Sequence, residues 1–445
     1  SGYEEFEYAK AAIDGLLPES ENLLVAEVSW GAYGSASAYN EAHIPGALHI
    51  NSDAVEYDDC DPWPLGDGID DLAQYGDEYH YGANEVLPED NFNIRSGEQL
   101  TQFMKTYGIT QDTNVILYGN NASNSAVTRV AFAMLYAGVD NVKVIDGGFK
   151  AWKTAGLPTE TTINKPVATD KDFGVTIPEH PEYIMSVEDV QKNLETNPNF
   201  NLVSIRSRDE FEGKTSGYGY IEMAGEPEGA IWGKDTDDGT YVQNGKIASI
   251  DALKQYIEEG GGSYDNELSF YCGTGWRATI PFLMAYQDGK KDISLYDGGW
   301  WLWTVKQENE ADKYPIQRIT PEQAAKFVSI SYEKDSVTAK VGAAVDNKLT
   351  IKYPRTELNV TYSSSDEKVA TVDADGKVTV KAAGTTTITV TTKDGNYKAL
   401  KDHTGNHTFA YSQLLSEVGK KPINENADNY DYSVDKWERK NVIMS

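Results

Sequence analysis

The chain has 445 residues, more than one domain usually holds, and its 40% hydrophobic content is enough for real cores. A net charge of −31, with an isoelectric point near 4.5, argues against non-specific binding to nucleic acid and against docking on anionic lipid. Two cysteines exclude a disulfide framework without settling the compartment, no apolar run reaches membrane-spanning length, and no secretory leader is read from Ser1 onward, as in a processed or trimmed chain.

A helix-like pattern runs from Tyr3 to Leu17, and the strand Leu23–Val28 follows. In Ala42-His43-Ile44-Pro45-Gly46-Ala47-Leu48-His49-Ile50, proline and glycine turn the chain into a short strand. Tyr57 to Asp90 is acidic, aromatic and rich in turn residues. It is too long for an ordinary connection and reads as a surface excursion or part of a binding wall. Ser96 to Tyr107 predicts a helix with Leu100, Phe103, Met104 and Tyr107 on one face. The buried strand Val115–Tyr118 leads through Gly119-Asn120-Asn121-Ala122-Ser123-Asn124 into a helix from Ser125 to Ala137. Val142 to Gly148 and Phe149-Lys150-Ala151-Trp152 close the unit.

The unit then repeats. Ser186-Val187-Glu188-Asp189 has the form of a capping box opening a helix with Val187, Val190 and Leu194 inward. Leu202–Arg206 is a strand, Gly225 to Ile231 echoes the first proline-glycine turn, and Ile250, Leu253 and Ile257 mark another helix. The strand Leu268–Tyr271 corresponds to the strand before Gly119, and a helix is expected over Ala278–Gln287. Tyr296-Asp297-Gly298-Gly299 with Trp300-Trp301-Leu302-Trp303 repeats Ile145-Asp146-Gly147-Gly148 with Phe149-Lys150-Ala151-Trp152. Strands alternating with helices predict an α/β domain with a parallel sheet, present twice. The period is far too long for a solenoid, so this is domain duplication.

After Pro315, Thr, Val, Ser and Lys alternate with period two, as in Lys348-Leu349-Thr350-Ile351-Lys352. Asp373-Ala374-Asp375-Gly376 reads as a hairpin turn, lacking the further ligands of a calcium loop. Tyr362 to Val372, with Gly376-Lys377-Val378 and Ala383-Gly384-Thr385-Thr386-Thr387-Ile388, resembles bacterial immunoglobulin-like domains of group 2. This implies a small β-sandwich over residues 328–395. Residues 396–445 form a polar tail without assignment, with one candidate helix from Phe409 to Val418.

The chemistry points to Tyr271-Cys272-Gly273-Thr274-Gly275-Trp276-Arg277, where a lone cysteine sits between strand and helix. Two glycines let the backbone curl its N–H groups inward. Those groups, the helix N-terminus and Arg277 favour an anion at Cys272 and a thiol more acidic than the ordinary value of about 8.5. The bland alternative is a buried structural cysteine. Four residues separate Cys272 from Arg277, giving a tight bowl for a single terminal sulfur, whereas Cys-based phosphatases place five there.

The loop resembles the active-site loop of rhodanese-type sulfurtransferases, and Ala42 to Ala47 resembles the signature near the start of their domains. The resemblance covers residues from about 23 to 315 and implies two rhodanese-like domains. The first (1–160) is non-catalytic because Gly119 stands where Cys272 stands, 161–183 is a linker, and the second (184–315) is catalytic. It implies a persulfide on Cys272, with double-displacement transfer from thiosulfate or 3-mercaptopyruvate to cyanide, a thiol or a protein cysteine. Cys272 and Arg277 are the expected catalytic residues. Gly273, Thr274, Gly275, Trp276, Arg206 and Lys214 are expected at the loop and substrate. Gly213-Lys214-Thr215-Ser216-Gly217-Tyr218 and Tyr296 to Trp300 are most similar to a periplasmic multi-rhodanese branch. Three departures leave the donor open: Ser204 replaces an Asp two residues before Arg206, Glu210 stands where some members carry an anion-binding Arg, and Thr274 stands where some thiosulfate enzymes carry a lysine inside the loop.

Several residues carry a second reading. Arg206 is alternatively a structural ion-pair residue beneath the loop, and Trp276 is a pocket wall or a core residue. Lys214 and Arg208 are alternatively solvated surface charges. Arg277 is expected to donate to loop carbonyls and to neighbouring carboxylates. Cys60, among acidic residues, should be unreactive and unpaired with Cys272. His43 and His49 lack metal-ligand spacing, and neither cofactor nor metal is expected. The immunoglobulin-like segment implies an extracytoplasmic location. The competing function is a surface-attached binding or adhesion protein in which Cys272 is a passive sulfur carrier.

Overall fold

A computed structural model describes residues 6–31, 36–57, 88–237, 239–318, 329–332, 337–345, 349–352, 360–392 and 443–444. Cys60, most of the acidic excursion and nearly all of the polar tail, with its candidate helix, lie outside these residues. The first helix is shorter than its sequence pattern, Glu7–Ile13, and stops before Gly15 at φ 78°.

The first domain is built on the parallel strands Leu48–Asn51, Leu23–Ser29, Asn114–Tyr118 and Asn141–Ile145, in that spatial order. Ile443–Met444 adds a fifth strand beside the last, pairing in parallel with Val144 and Ile145. The second domain repeats the plan with Ile293–Leu295, Glu267–Tyr271, Phe200–Ser204 and Ile231–Trp232. Each central strand is buried on both faces, so it reads as a continuous apolar run rather than an alternating one.

Side-chain caps start the helices where the sequence placed them. Ser96 Oγ accepts the Gln99 amide, and Ser186 Oγ accepts that of Asp189. At Ser207 the capping box is reciprocal: Ser207 Oγ accepts from Glu210 N, and Glu210 Oε1 accepts from Ser207 N, both at 3.1 Å.

Each domain has an outer core of its own, around Trp152 in the first and Trp300 and Trp303 in the second. Between the sheets lies a third core shared by both domains, where helix Ser125–Ala137 packs on helix Thr279–Gln287. Phe132 and Phe282 meet edge to face there, 4.8 Å apart. Phe173 and Ile177, in the connecting segment, are buried in this shared core, and so is Cys272.

Between residues 329 and 392 the described strands pair only antiparallel, as expected of a small immunoglobulin-like unit. Ala370–Val372 and Val378–Val380 form the anticipated hairpin. The carboxylate of Asp373 is spent on the amides of Asp375 and Lys377, which is the work of a turn.

Candidate active site

Cys272 follows the strand Glu267–Tyr271 directly and is 1% exposed. The first turn of helix Gly299–Asn309 holds the loop from below: Trp300 N donates to Cys272 O at 2.9 Å and Trp301 N to Gly273 O at 3.1 Å. A Cβ on Gly299 would lie 2.5 Å from Gly273 O, so only glycine lets the helix approach. On the open side, Gly275 N points at Cys272 Sγ from 3.3 Å, an amide placed to stabilise negative sulfur. Gly275 has φ 95°, and Thr274 completes the curve, largely buried.

Tyr218 lies across Gly273, where a Cβ would come within 2.1 Å of its ring. Its hydroxyl oxygen accepts Gly273 N at 3.2 Å and Arg277 Nη2 at 2.7 Å. Burial and the neighbouring Cys272 charge hold this phenol protonated well above its usual range. The rings of Tyr218, Tyr220, Phe92 and Trp301 form a chain with centroids 5.0 to 5.5 Å apart, and Tyr220, 51% exposed, is its outer member.

Arg277 is clamped. Its two terminal nitrogens each donate at 2.9 Å to one oxygen of Glu210, and Nη1 also reaches Asp235 at 3.1 Å. Burial alone would raise the Glu210 carboxyl, but Arg277 and Arg206 outweigh it and pull the carboxyl down to about 2. The expected donation from Arg277 to loop carbonyls is corrected. Those of Cys272 and Gly273 are taken by the tryptophan amides, and that of Gly275 faces another arginine, Arg129.

Two further assignments are corrected. Arg206 is fully buried beneath the loop. It donates to Glu210, Glu226 and the carbonyls of Gly225 and Ser216, which is the structural ion-pair reading. Its substrate-binding role therefore falls away: its donors are committed to holding Glu210, which in turn holds Arg277. Lys214 has a side chain 52% exposed and pairs with Glu212 at 3.0 Å, a solvated charge outside the loop's network. The carboxylate absent at Ser204 is supplied by Glu226, which accepts from Ser204 Oγ at 3.0 Å and from Arg206 at 3.1 Å.

Trp276 proves to be a wall between domains: its indole N–H donates to the carboxylate of Glu56 in the first domain. Glu56 also accepts from Arg129 Nε at 2.8 Å. Arg129, fully buried, donates in addition to Asp297, to Phe92 O at 2.8 Å and to Gly275 O at 3.4 Å. One guanidinium thus faces two carboxylates, and burial pushes Glu56 up to about 7. Glu56, Phe92, Arg129, Tyr218, Asp235 and Asp297 were all missed from sequence. Tyr218 and Asp297 stood only as members of longer motifs, and Arg129 left a signal as the single charge in the apolar run from Ala126 to Leu135. Among the described residues no group of three His, Cys, Asp or Glu comes together to hold a metal. No helix there is long and apolar enough to cross a membrane.

Residues 33–155 and 186–306 each match the rhodanese-like domain, and residues 324–402 match the bacterial Ig-like domain (group 2). The chain is similar to thiosulfate sulfurtransferase YnjE of Escherichia coli, 37% identical over 290 residues, covering 64% of this chain and 58% of that protein. It thus spans little more than half the length of that relative, whose crystal structure superposes with a TM-score of 0.57 at 33% identity, over 70% of this chain and 67% of that one. A putative thiosulfate sulfurtransferase of Haloferax volcanii is 25% identical over 60% of this chain and 82% of its own. An anaerobic ergothioneine biosynthesis enzyme from Chlorobium limicola, solved with trimethyl histidine, is similar at 27% identity and a TM-score of 0.56, with 68% of each chain covered.

Proposed function

The chain belongs to the rhodanese-like family, and on that premise we propose that it is a sulfurtransferase carrying sulfane sulfur on Cys272. The observation that supports this most is the Gly275 amide aimed at Cys272 Sγ, in a loop braced by the Arg277–Glu210 fork.

The reaction has two displacements. The Cys272 thiolate attacks the outer sulfur of thiosulfate, a sulfur–sulfur bond forms, and the donor's own sulfur–sulfur bond breaks with its electron pair leaving on sulfite. From 3-mercaptopyruvate the carbon–sulfur bond breaks instead, its electron pair leaving as the pyruvate enolate, which takes up the proton given up by the donor thiol. The terminal persulfide sulfur then takes the negative charge, facing the loop amides. Cyanide, a thiol or a protein cysteine attacks that outer sulfur, and the electron pair of the breaking bond returns to Cys272 as thiolate. Arg277 acts by fixing the loop rather than by capturing the donor, because its terminal nitrogens are already committed to Glu210, Asp235 and Tyr218.

The test is cyanide-dependent thiocyanate release with thiosulfate and with 3-mercaptopyruvate, alongside the intact mass of donor-treated protein. A gain of one sulfur, absent in Cys272→Ser, is expected. An unmodified cysteine with every donor would defeat the reading.

The group 2 Ig-like match supports a second component, action outside the cytoplasm and attachment at a bacterial surface. Fractionation that finds the protein only in cytosol would remove it.

A further inference from the structure

We propose that Arg129, in the domain without a nucleophile, is a positioning residue for the active-site loop of the other domain. It sets the alignment of the Gly275 N–H with the Cys272 sulfur. The proposal rests on the sulfur-transfer reading for its kinetic consequence, and on geometry alone for the alignment.

Helix Ser125–Ala137 is otherwise apolar and buried along nearly its whole length, so a charge in its middle carries a large desolvation cost unless every donor is used. The donors are used in a particular way. Nε and Nη2 hold the first domain through Glu56 and Phe92 O, while Nη1 reaches into the second domain, to Asp297 and Gly275 O. Counting on from the equivalent Gly119 and Cys272, Arg129 corresponds to Phe282. That residue is an uncharged ring packed against Phe132, Tyr183 and Tyr286, so the second domain places no guanidinium at the matching position. The guanidinium contact itself runs from the first domain to the Cys272 loop.

Gly275 is where that contact acts. Its amide bonds the sulfur and its carbonyl faces Arg129, so one residue connects the two. With no side chain and φ 95°, Gly275 cannot fix its own orientation. A Cβ there would sit 2.6 Å from Arg129 Nη1 and 2.8 Å from Asp297 Oδ1, so this pair presses on the place where a side chain would otherwise be. Trp276, next in the chain, is fastened to Glu56, the carboxylate that also holds Arg129. Removing the guanidinium frees the peptide on either side of Gly275 without touching Cys272, Arg277 or the donor.

The test uses the full chain and two variants. Arg129→Lys keeps the charge and loses the planar fork. Arg129→Met with Glu56→Gln and Asp297→Asn removes the guanidinium together with both carboxylates it faces, so that none is left unpaired if the lysine variant folds poorly. Two readouts are taken below the unfolding temperature: amide hydrogen exchange at Gly275, and kcat with KM for thiosulfate in the thiocyanate assay. The expected result is faster exchange at Gly275 and kcat lower by about 10- to 100-fold, the scale of a disturbed anion-stabilising donor, with KM nearly unchanged. A merely structural arginine would lower the melting temperature while leaving both readouts at wild-type values, and that outcome overturns the proposal. If wild-type protein transfers no sulfur but the variants still lose protection at Gly275, the sulfurtransferase reading fails and the alignment by Arg129 stands.

Discussion

In the first domain the carbonyls of Gly119 and Asn120 accept the amides of Phe149 and Lys150 at 2.8 and 3.0 Å. In the second, those of Cys272 and Gly273 accept Trp300 and Trp301 at 2.9 and 3.1 Å. The backbone skeleton is the same, but what fills it differs. The first loop caps itself: Asn121 Oδ1 takes Ser123 N and Oγ, Asn124 Oδ1 takes Ala126 N, and the Asn124 side chain lies where a side chain at Gly119 would be. The second is braced from outside, by Tyr218, by Arg277 on Glu210, and by Arg129. A loop that satisfies itself has used up its centre, whereas one supported by its neighbours keeps the centre for a reacting sulfur.

The sharpest way to break this comparison is to exchange the nucleophiles. Cys272→Ser should abolish thiocyanate release, a loss of at least about three orders of magnitude for a missing nucleophile. Gly119→Cys should not restore it, because a Cβ there meets Asn124 at 2.8 to 2.9 Å and no arginine follows in register. Recovery in the double variant would show that the skeleton alone suffices. Next in size is Arg277→Lys, which cannot reproduce two bonds to Glu210 together with those to Asp235 and Tyr218. Sulfur transfer should fall by roughly two orders of magnitude, while Cys272 still alkylates with iodoacetamide.

The paired aspartates sharpen the comparison. Asp297 accepts Ile94 N, and its counterpart Asp146 accepts Ile247 N, each at 2.7 Å across the domain boundary. Asp146→Asn should cost stability of about 1–3 kcal/mol and leave turnover intact, whereas Asp297→Asn should cost both, since Asp297 also holds Arg129. Denaturant melts and the thiocyanate assay separate the two. The smallest effect is one of pH. Glu56 keeps its proton more firmly when folded, its pKa raised from 4.5 to about 7 by burial, so its contribution to stability is fully present below about pH 4.5. That contribution declines as pH rises through about 7. Glu56→Gln, which mimics the protonated group, should flatten the melting temperature over that window.

Much of the fold could be read beforehand, because buried parallel strands and the repeated Asp-Gly-Gly corner are local patterns. The Cys272–Arg277 loop was legible for the same reason. Arg206 was ambiguous because a charged residue at a strand end reads the same whether it meets solvent or Glu210 and Glu226, which arrive from elsewhere in the chain. The role expected of Arg277 was right about carboxylates and wrong about carbonyls, since the sequence does not say that the Trp300 and Trp301 amides reach those carbonyls first. Glu56 and Phe92 were invisible: they matter only through a contact between domains, and no spacing within either one encodes it.

The reciprocal bonds from Ile94 to Asp297 and from Ile247 to Asp146 bear on how such a molecule can be recombined. Each half carries an acceptor whose donor lies in the other half, so a crossover between two relatives that falls in the connecting segment severs both at once. A hybrid stays sound only if each incoming half presents its isoleucine amide at the depth the resident aspartate expects, and its arginine within reach of the foreign loop. The half without a nucleophile is therefore not spare material that a lineage can trim or trade. A designer who transplants the cysteine loop must move the opposite domain along with it, since that domain supplies the Ile94 amide and the Arg129 guanidinium.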